Sequence, residues 1–391
     1  MIGLLDGPAR LGPLPRIGAD QLIARLEQAN LLGRGGAGFP AARKWRAVRE
    51  RAGGKAVVLV NGAEGEPLSR KDRTLMASRP HLVIDGALLA AGAVGAADII
   101  FYVGREHRAA LAALGRALGE RQEPIARRSR LVEAPSGYVT GEESAAVHFL
   151  NAGDPRPTSV PPRPYEAGVG GRPTLVQNVE SLAMAALIAR GVGGSTTLVT
   201  SGGAVARPGV HEVPLTATVA DIAREAGGLT RPGQAALVGG YFGAWARVDE
   251  VWGLPIEPRS LRARGLNFGC GILYFPPATA CGVDAAARIM RYLASQSARQ
   301  CGPCVFGLGA TAAACERLAR LVAQPDDLQR LVRWSGQLAG RGACKHPDGA
   351  TGLLRSALDV FSHDFAAHQR RRCIVAEQTL TPRAATAMAV A

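Results

Sequence analysis

No run in this 391-residue sequence is long and apolar enough to read as a membrane span. The nearest, residues 82–103, is broken by Asp85, Asp98 and three internal glycines, which fits a buried helix followed by a strand. The opening Met-Ile-Gly-Leu-Leu-Asp-Gly-Pro lacks the basic start and apolar core of a signal peptide, so a cytoplasmic protein is expected. No basic run is interleaved with aromatics, which argues against nucleic-acid binding. No Gly-x-Ser-x-Gly nucleophile motif is found, and the scattered histidines show no metal-ligand spacing. Seven cysteines, an odd number, argue against a disulfide framework. Acid is also in short supply. Against 46 Lys and Arg stand 32 Asp and Glu, a net charge of +14, which reads as a solvated basic surface or as steering toward an anionic partner.

What remains is a globular composition, 47% hydrophobic and 20% charged, long enough for two or three domains. Its focal stretch is Leu32-Gly-Arg-Gly-Gly-Ala-Gly-Phe-Pro-Ala-Ala-Arg-Lys-Trp45. The clustered glycines admit positive φ and let a ligand approach the main chain, and helix-forming residues follow at once. Free N–H groups and the positive end of a helix dipole suit a phosphate, with Arg34 and Lys44 as further donors.

Three more motifs follow in order: Asn61-Gly-Ala-Glu-Gly-Glu-Pro67 with Lys71-Asp-Arg73, Gly137-Tyr-Val-Thr-Gly-Glu-Glu143, and Gly171-Arg-Pro-Thr-Leu-Val-Gln-Asn-Val-Glu180. Together the four motifs resemble the flavin-carrying, NADH-oxidising subunit of respiratory complex I and its relatives in NAD-linked hydrogenases and formate dehydrogenases. Weaker similarity continues to about residue 360.

The fold expected is α/β. Helical spacing over 19–30, a doubly buried strand at Ala56-Val-Val-Leu-Val60, a helix over 81–95, a strand over 98–103, a helix over 106–118 and a strand near 131–133 predict a right-handed β-α-β-α-β series in a parallel sheet. Both acidic motifs then lie beyond the carboxyl ends of strands, where such sheets bind ligands. Carboxylates repel phosphate, so Glu64, Glu66, Glu142 and Glu143 fit acceptors for ribityl or ribose hydroxyls; Glu142 and Glu143 equally fit helix caps. Residues 1–18 read as an arm. The loop from 161 to 171 is extended and leads to a helix over 181–189. The division expected is an FMN- and nucleotide-binding domain over 1–193, a small module like the family's β-grasp (SLBB) unit over 194–262, and a helical, iron–sulfur-binding type of domain over 263–391. Helices are expected near 284–296, 305–322, 326–338 and 351–370, with a loose tail after Arg371.

The resemblance implies FMN held by Gly33, Arg34, Gly35, Gly36 and Lys44, with Asn61, Glu64, Tyr138, Gly141, Glu142, Glu143 and Asn178 lining the pocket. Phe39 and Glu66 would face NADH, Glu66 being the catalytic candidate. Ala63, Thr140 and Gln177 depart from the family's aspartate, cysteine and asparagine. On the dinucleotide side Ala47 replaces a phenylalanine, and Val160-Pro-Pro-Arg163 replaces Lys-Pro-Pro-Phe. For a [4Fe–4S] cluster the family supplies Cys-x-x-Cys-x-x-Cys and one distant cysteine. Here Ala298 takes the first place, leaving Cys301, Cys304 and Cys344, with Cys281, Cys270, His346 or a non-protein molecule as the fourth ligand. Cys315 and Cys373 are expected to be structural.

The function implied is an FMN-dependent NADH dehydrogenase-type subunit that passes single electrons to an iron–sulfur centre or an acidic ferredoxin-like or membrane reductase subunit within a hetero-oligomer. It has no recognisable quinone site. The alternative is a flavin-binding electron-transfer or assembly subunit without NADH oxidation of its own.

Overall fold

The computed structural model describes residues 2–7, 10–231 and 233–375. The first part runs α1 (Ala19–Gln28), α2 (Ala41–Ala52), β1 (Ala56–Gly62), α3 (Lys71–Ser78), α4 (Pro80–Val94), β2 (Ala96–Gly104), α5 (Arg108–Gly119), α6 (Pro124–Arg127), β3 (Arg130–Ala134), α7 (Glu143–Ala152), β4 (Thr174–Asn178) and α8 (Val179–Ala189). The four strands form a parallel sheet in the order β3-β2-β1-β4. The predicted three-strand series is present, and β4 adds to it a strand from what reads in sequence as the end of an extended loop.

Alternation sorts the strand side chains. Ala56, Val58 and Val60 enter the core beneath α1, α2, α4 and α8, while Val57 and Leu59 join Tyr102 and Val147 on the opposite face. Burial on both faces explains the unbroken apolar run in β1. Helices α4 and α8 are buried almost all round, and Gly86 lets them touch: a Cβ there would lie 2.0 Å from Leu182 O. The N-terminal stretch is anchored rather than free. Leu4 is fully buried, and the Leu4 and Leu5 amides donate to the Glu212 carboxylate at 2.8 and 3.0 Å.

A second sheet follows, built from β5 (Thr196–Gly203), β6 (Gly209–Pro214), β7 (Ala235–Val238), β8 (Ala244–Arg247) and β9 (Ile272–Phe275) in the order β6-β5-β9-β7-β8. Between its strands lie α9 (Val219–Glu225), α10 (Val248–Val251) and α11 (Pro258–Arg262). Helix α9 starts in a reciprocal capping box between Thr218 and Asp221. The middle strand, β9, lies beyond residue 262, where the module was expected to end, because it pairs parallel with β5 and antiparallel with β7.

The remaining helices are α12 (Gly282–Ser295), α13 (Leu308–Ala319), α14 (Asp327–Gln337), α15 (His346–Val360) and α16 (Ser362–Gln369), with a widened turn at Pro303–Gly307 before α13. The single helix expected over 351–370 is two, broken at Phe361, whose ring packs against Gly282. The bundle seals the second sheet through Ala235, Leu237 and Trp245. Of the tail expected to be loose, residues 376–391 lie outside the described residues.

Candidate functional site

The chain leaves β1 toward β2 and β3 on one side and returns to β4 on the other, so the crevice at the carboxyl ends of β1 and β4 is the switch point where open parallel sheets bind ligands. Asn61 and Asn178 are register partners there. The glycine loop closes over the crevice, pinned by the Gly33 amide donating to Phe39 O at 2.8 Å. Gly36 and Gly38 carry φ of +109° and +61°, backbone that a Cβ disfavours, and a Cβ on Gly35 would press on Asn178 at 3.4 Å. Helix α2 then begins with neither a side-chain cap nor an acidic residue in its first turn. The Ala41 amide donates to Leu31 O at 2.9 Å; with no side-chain cap on the amides that follow, and Cβ-free backbone beside them, this helix N-terminus fits a phosphate. Lys44 reaches the same end, its Nζ 2.8 Å from Glu143 Oε2.

Several predicted residues are spent on the protein itself. Glu142 is the N-cap of α7, accepting from the Ser144 and Ala145 amides at 2.9 and 3.0 Å, and burial raises its pKa. Glu64, at φ +43°, accepts from the Asp72 and Arg73 amides at the start of α3 and from Ser69 Oγ. Asn178 caps α8 by accepting from the Glu180 amide, and its Nδ2 donates to Asp72 Oδ2 at 2.7 Å. Asn61 Nδ2 donates to Gly141 O at 2.8 Å. Beside Asn178, the buried Gln177 Oε1 has no hydrogen-bond partner among the described residues. Phe39 is 48% exposed, with the Arg43 guanidinium 5.8 Å from its ring centre.

Glu66 does not open to the crevice. It is 6% exposed and accepts from Tyr138 Oη and the Tyr241 amide, both at 2.9 Å, which ties the first sheet to the loop after β7. Tyr138 in turn packs edge-on against Phe242, Tyr292 and His346. Burial raises Glu66 from 4.5 to about 7, against the pull of its hydrogen bonds. Between those values the folded state holds a proton that the unfolded state has lost. Its contribution to stability is therefore greatest below pH 4.5 and falls as pH rises toward 7, by about 3 kcal/mol in all. Glu66→Gln is expected to flatten this slope and raise the melting temperature above pH 7. Parallel melting curves for the two proteins across that range would contradict the assignment.

Sequence reasoning overlooked the charge cluster behind the loop. Lys71 Nζ lies 2.6 Å from Asp72 Oδ1 and 2.9 Å from Glu180 Oε2, all with side chains at most 7% exposed. Glu180 also accepts from Thr197 Oγ1 and the Leu198 amide, joining α8 to β5. Arg34 turns toward this cluster, its Nε 3.9 Å from Glu180 Oε1, and its amide donates to Ser181 Oγ. Burial works to raise the Glu180 pKa, but Lys71 and Arg34 outweigh it and hold the group below its ordinary value. Lys71 and Glu180 both lie inside motifs quoted above, which was the available signal.

The turn before α13 brings Cys301 and Cys304 together, and the loop before α15 sets Cys344 against them. Burial tends to raise the Cys301 thiol, but the Ala343 amide and Cys304 reverse this, while burial beside Cys301 pushes Cys304 up to about 12. Cys344 is raised by burial and feels both Glu142 and Cys301. Cys301 and Cys304 are close enough to hydrogen bond to each other. Ala298 offers no ligand atom. Of the fourth-ligand candidates, Cys270 lies against Gly36 of the glycine loop and Cys281 lies beyond the far end of α12. His346 remains beside Cys344, with Nε2 on Leu293 O at 2.8 Å and a buried Nδ1 that has no partner among the described residues.

Similarity to known proteins follows this geometry. The Nuo51 FMN-binding domain family matches residues 26–186, and the NADH-ubiquinone oxidoreductase-F iron-sulfur binding region matches residues 284–368. The second F-type subunit of the NADH-quinone oxidoreductase of Rhizobium meliloti (strain 1021) is 30% identical over 380 residues, 90% of each chain. The F-type subunit of the Escherichia coli (strain K12) enzyme is 30% identical over 386 residues, 90% of this chain and 85% of that one. The crystal structure of an air-oxidised NAD+-reducing [NiFe]-hydrogenase superposes with a TM-score of 0.82 at 29% identity, covering 93% of this chain and 67% of that one.

Proposed function

The chain belongs to the family of F-type subunits of NADH-quinone oxidoreductase, and on that premise we propose that it is an electron-input subunit, taking hydride from NADH on FMN and delivering single electrons to an iron–sulfur centre. The observation that carries this is the crevice between β1 and β4, with Asn61 and Asn178 side by side under a glycine loop that opens onto the uncapped start of α2.

FMN supplies the conversion between a hydride's electron pair and single electrons. The chain's residues bind and orient it. Gly35 and Gly36 with the first turn of α2 would hold the phosphate, Gly33 would keep the loop closed through its amide on Phe39 O, and Lys44, paired with Glu143, would bring a cation to it. Arg34 fixes the loop from behind through Ser181. Asn61, Asn178 and Gly141 would border the polyol, while Glu64 and Glu142 shape the pocket by holding the starts of α3 and α7. Phe39 offers an exposed ring to the nicotinamide nucleotide. Glu66, raised toward neutral pH at the hydroxyl of Tyr138, would hold or release a proton behind the crevice rather than in it. Cys301, Cys304 and Cys344 would hold three irons of a [4Fe–4S] cluster, which supplies one-electron transfer.

Among the described residues no helix is long and apolar enough to cross a membrane. The net charge of +14 supports an acidic partner, ferredoxin-like or a membrane reductase subunit, in a hetero-oligomer. The division into a flavin domain, a β-grasp-like module and a cluster-bearing helical domain is part of the same proposal.

An anaerobic absorption spectrum before and after NADH tests the function: the flavin band is expected to bleach. A band that NADH leaves unchanged would favour the second reading, an electron-transfer subunit with another reductant. Ala47 and Arg163 speak for that reading, since the family places aromatics at both positions. Two lost stacking contacts, each worth about 0.5–1.5 kcal/mol, are expected to weaken NADH binding roughly 10- to 100-fold, and Ala47→Phe to recover part of that. A dissociation constant in the low micromolar range, measured by calorimetric titration, would refute the weakened site.

A further inference from the structure

We infer that Cys281, His368 and Cys373 form a second metal site, for one thiophilic divalent cation of the zinc class, at the end of the helical bundle away from the Cys301 turn. Cys281 precedes the first residue of α12, His368 lies in the last turn of α16, and Cys373 follows as the chain leaves that helix. The 14 residues of α12 rise about 21 Å, which separates Cys281 from the Cys301 turn that follows the helix. His368 comes 87 positions after Cys281, so spacing gives no sign of the site.

The ligand atoms of all three lie within 4.8 Å of one another. Cys281 Sγ is 3.3 Å from His368 Nε2. With metal–sulfur bonds of about 2.3 Å and metal–nitrogen bonds of about 2.0–2.1 Å, the edges of a tetrahedral zinc site are about 3.5–3.8 Å. The cysteine–histidine edge, at 3.3 Å, is about 0.2 Å short of that range, and Cys373 needs to approach by at most about 1.3 Å.

The histidine is prepared for the role. It is 2% exposed, and Nδ1 lies 3.0 Å from Leu318 O in the last turn of α13. A carbonyl cannot donate, so Nδ1 carries the proton and Nε2 presents its lone pair to Cys281. A ring nitrogen tied to a backbone carbonyl while the other faces the metal is the usual outer support of a histidine ligand. An S–H···N hydrogen bond would account for Cys281 and His368 alone. It leaves the convergence of Cys373 unexplained.

Charge fits as well. Two thiolates and a neutral imidazole around a dication sum to zero, which avoids the penalty for burying net charge. Binding releases two thiol protons to solvent, and water takes the fourth position. The ion would join the start of α12, the end of α13 and the segment after α16.

The test uses the full chain, purified without chelator. Metal analysis and an anaerobic cobalt(II) titration are made on the wild type, Cys373→Ser, the double variant Cys281→Ser/Cys373→Ser, and Cys301→Ser. Wild type and Cys301→Ser are expected to retain one equivalent of zinc and to give a thiolate-to-cobalt charge-transfer band that saturates at one equivalent. Loss of even an outer-shell partner costs 10- to 100-fold in affinity, so Cys373→Ser is expected to lose at least about 100-fold. Cys373 is half-buried beyond the last full helix, so this variant should match the wild type's circular dichroism without metal. Zinc that vanishes in Cys301→Ser but persists in Cys373→Ser would overturn the proposal. So would a wild type that binds neither ion at micromolar concentration. Flavin reduction by NADH is read separately and does not depend on either result.

Discussion

Lys71→Met is expected to destabilise the fold by about 3–5 kcal/mol at pH 8, the usual cost of stranding buried charges. The Lys71 side chain is 2% exposed and its ammonium meets Asp72 and Glu180 at 2.6 and 2.9 Å. Methionine fills the space but leaves both carboxylates buried, with Arg34 the nearest cation to Glu180 at 3.9 Å. The carboxylates would then bind protons more tightly in the folded than in the unfolded chain. The deficit should shrink as pH falls toward 5, the opposite of ordinary acid unfolding. On a chain of 391 residues the melting temperature should fall by roughly 4–6 °C. The double variant Lys71→Met/Glu180→Gln should recover part of the loss, because one stranded charge goes with its partner. Flavin affinity should fall too, since Ser181, next to Glu180, holds the Arg34 amide of the glycine loop. A loss under about 1 kcal/mol, unchanged between pH 5 and 8, would contradict the buried cluster.

That cluster shows where the sequence was readable and where it was not. The run Ala56–Val60 announced a strand covered on both faces, and its neighbours followed from helical spacing. Strand β4 did not, because five residues after Pro173 carry too little periodicity to stand out from a loop. Strand β9 is shorter still, lying between the glycines at 269 and 271 and the prolines at 276 and 277. The motifs marked the crevice, yet not the task of each acid. A carboxylate that caps a helix and one that awaits a ligand look alike in sequence, since both sit just before a helix. Folding shows Glu142 and Glu64 bound to the amides of α7 and α3, and Glu66 bridging to Tyr241. Lys71 and Glu180 stood in the motifs without a reading because their pairing spans more than a hundred residues. Cys373 read as structural for the same reason, since only the fold sets it against Cys281 and His368.

Cys344→Ser is expected to lower iron and acid-labile sulfide per chain by roughly tenfold or more, because it leaves two thiolates where a cluster needs four ligands. The Ala343 amide donates to the Cys301 thiol, so the loop that carries Cys344 also shapes the turn of Cys301 and Cys304. Serine keeps that loop's size and polarity, which separates loss of a ligand from loss of fold. NADH should still bleach the flavin, while transfer to a one-electron acceptor should fall at least about 100-fold if that transfer runs through the cluster. The reciprocal variant Ala298→Cys supplies the family's first ligand and should raise iron retention on exposure to air. His346 offers a further discrimination. Its Nε2 donates to Leu293 O and its Nδ1 has no partner among the described residues, so His346→Leu should cost iron only if that nitrogen completes the ligand set. Wild-type protein purified anaerobically without iron and sulfide would remove the cluster altogether. A Cys344→Ser variant that kept its iron would instead move the distant ligand away from this loop.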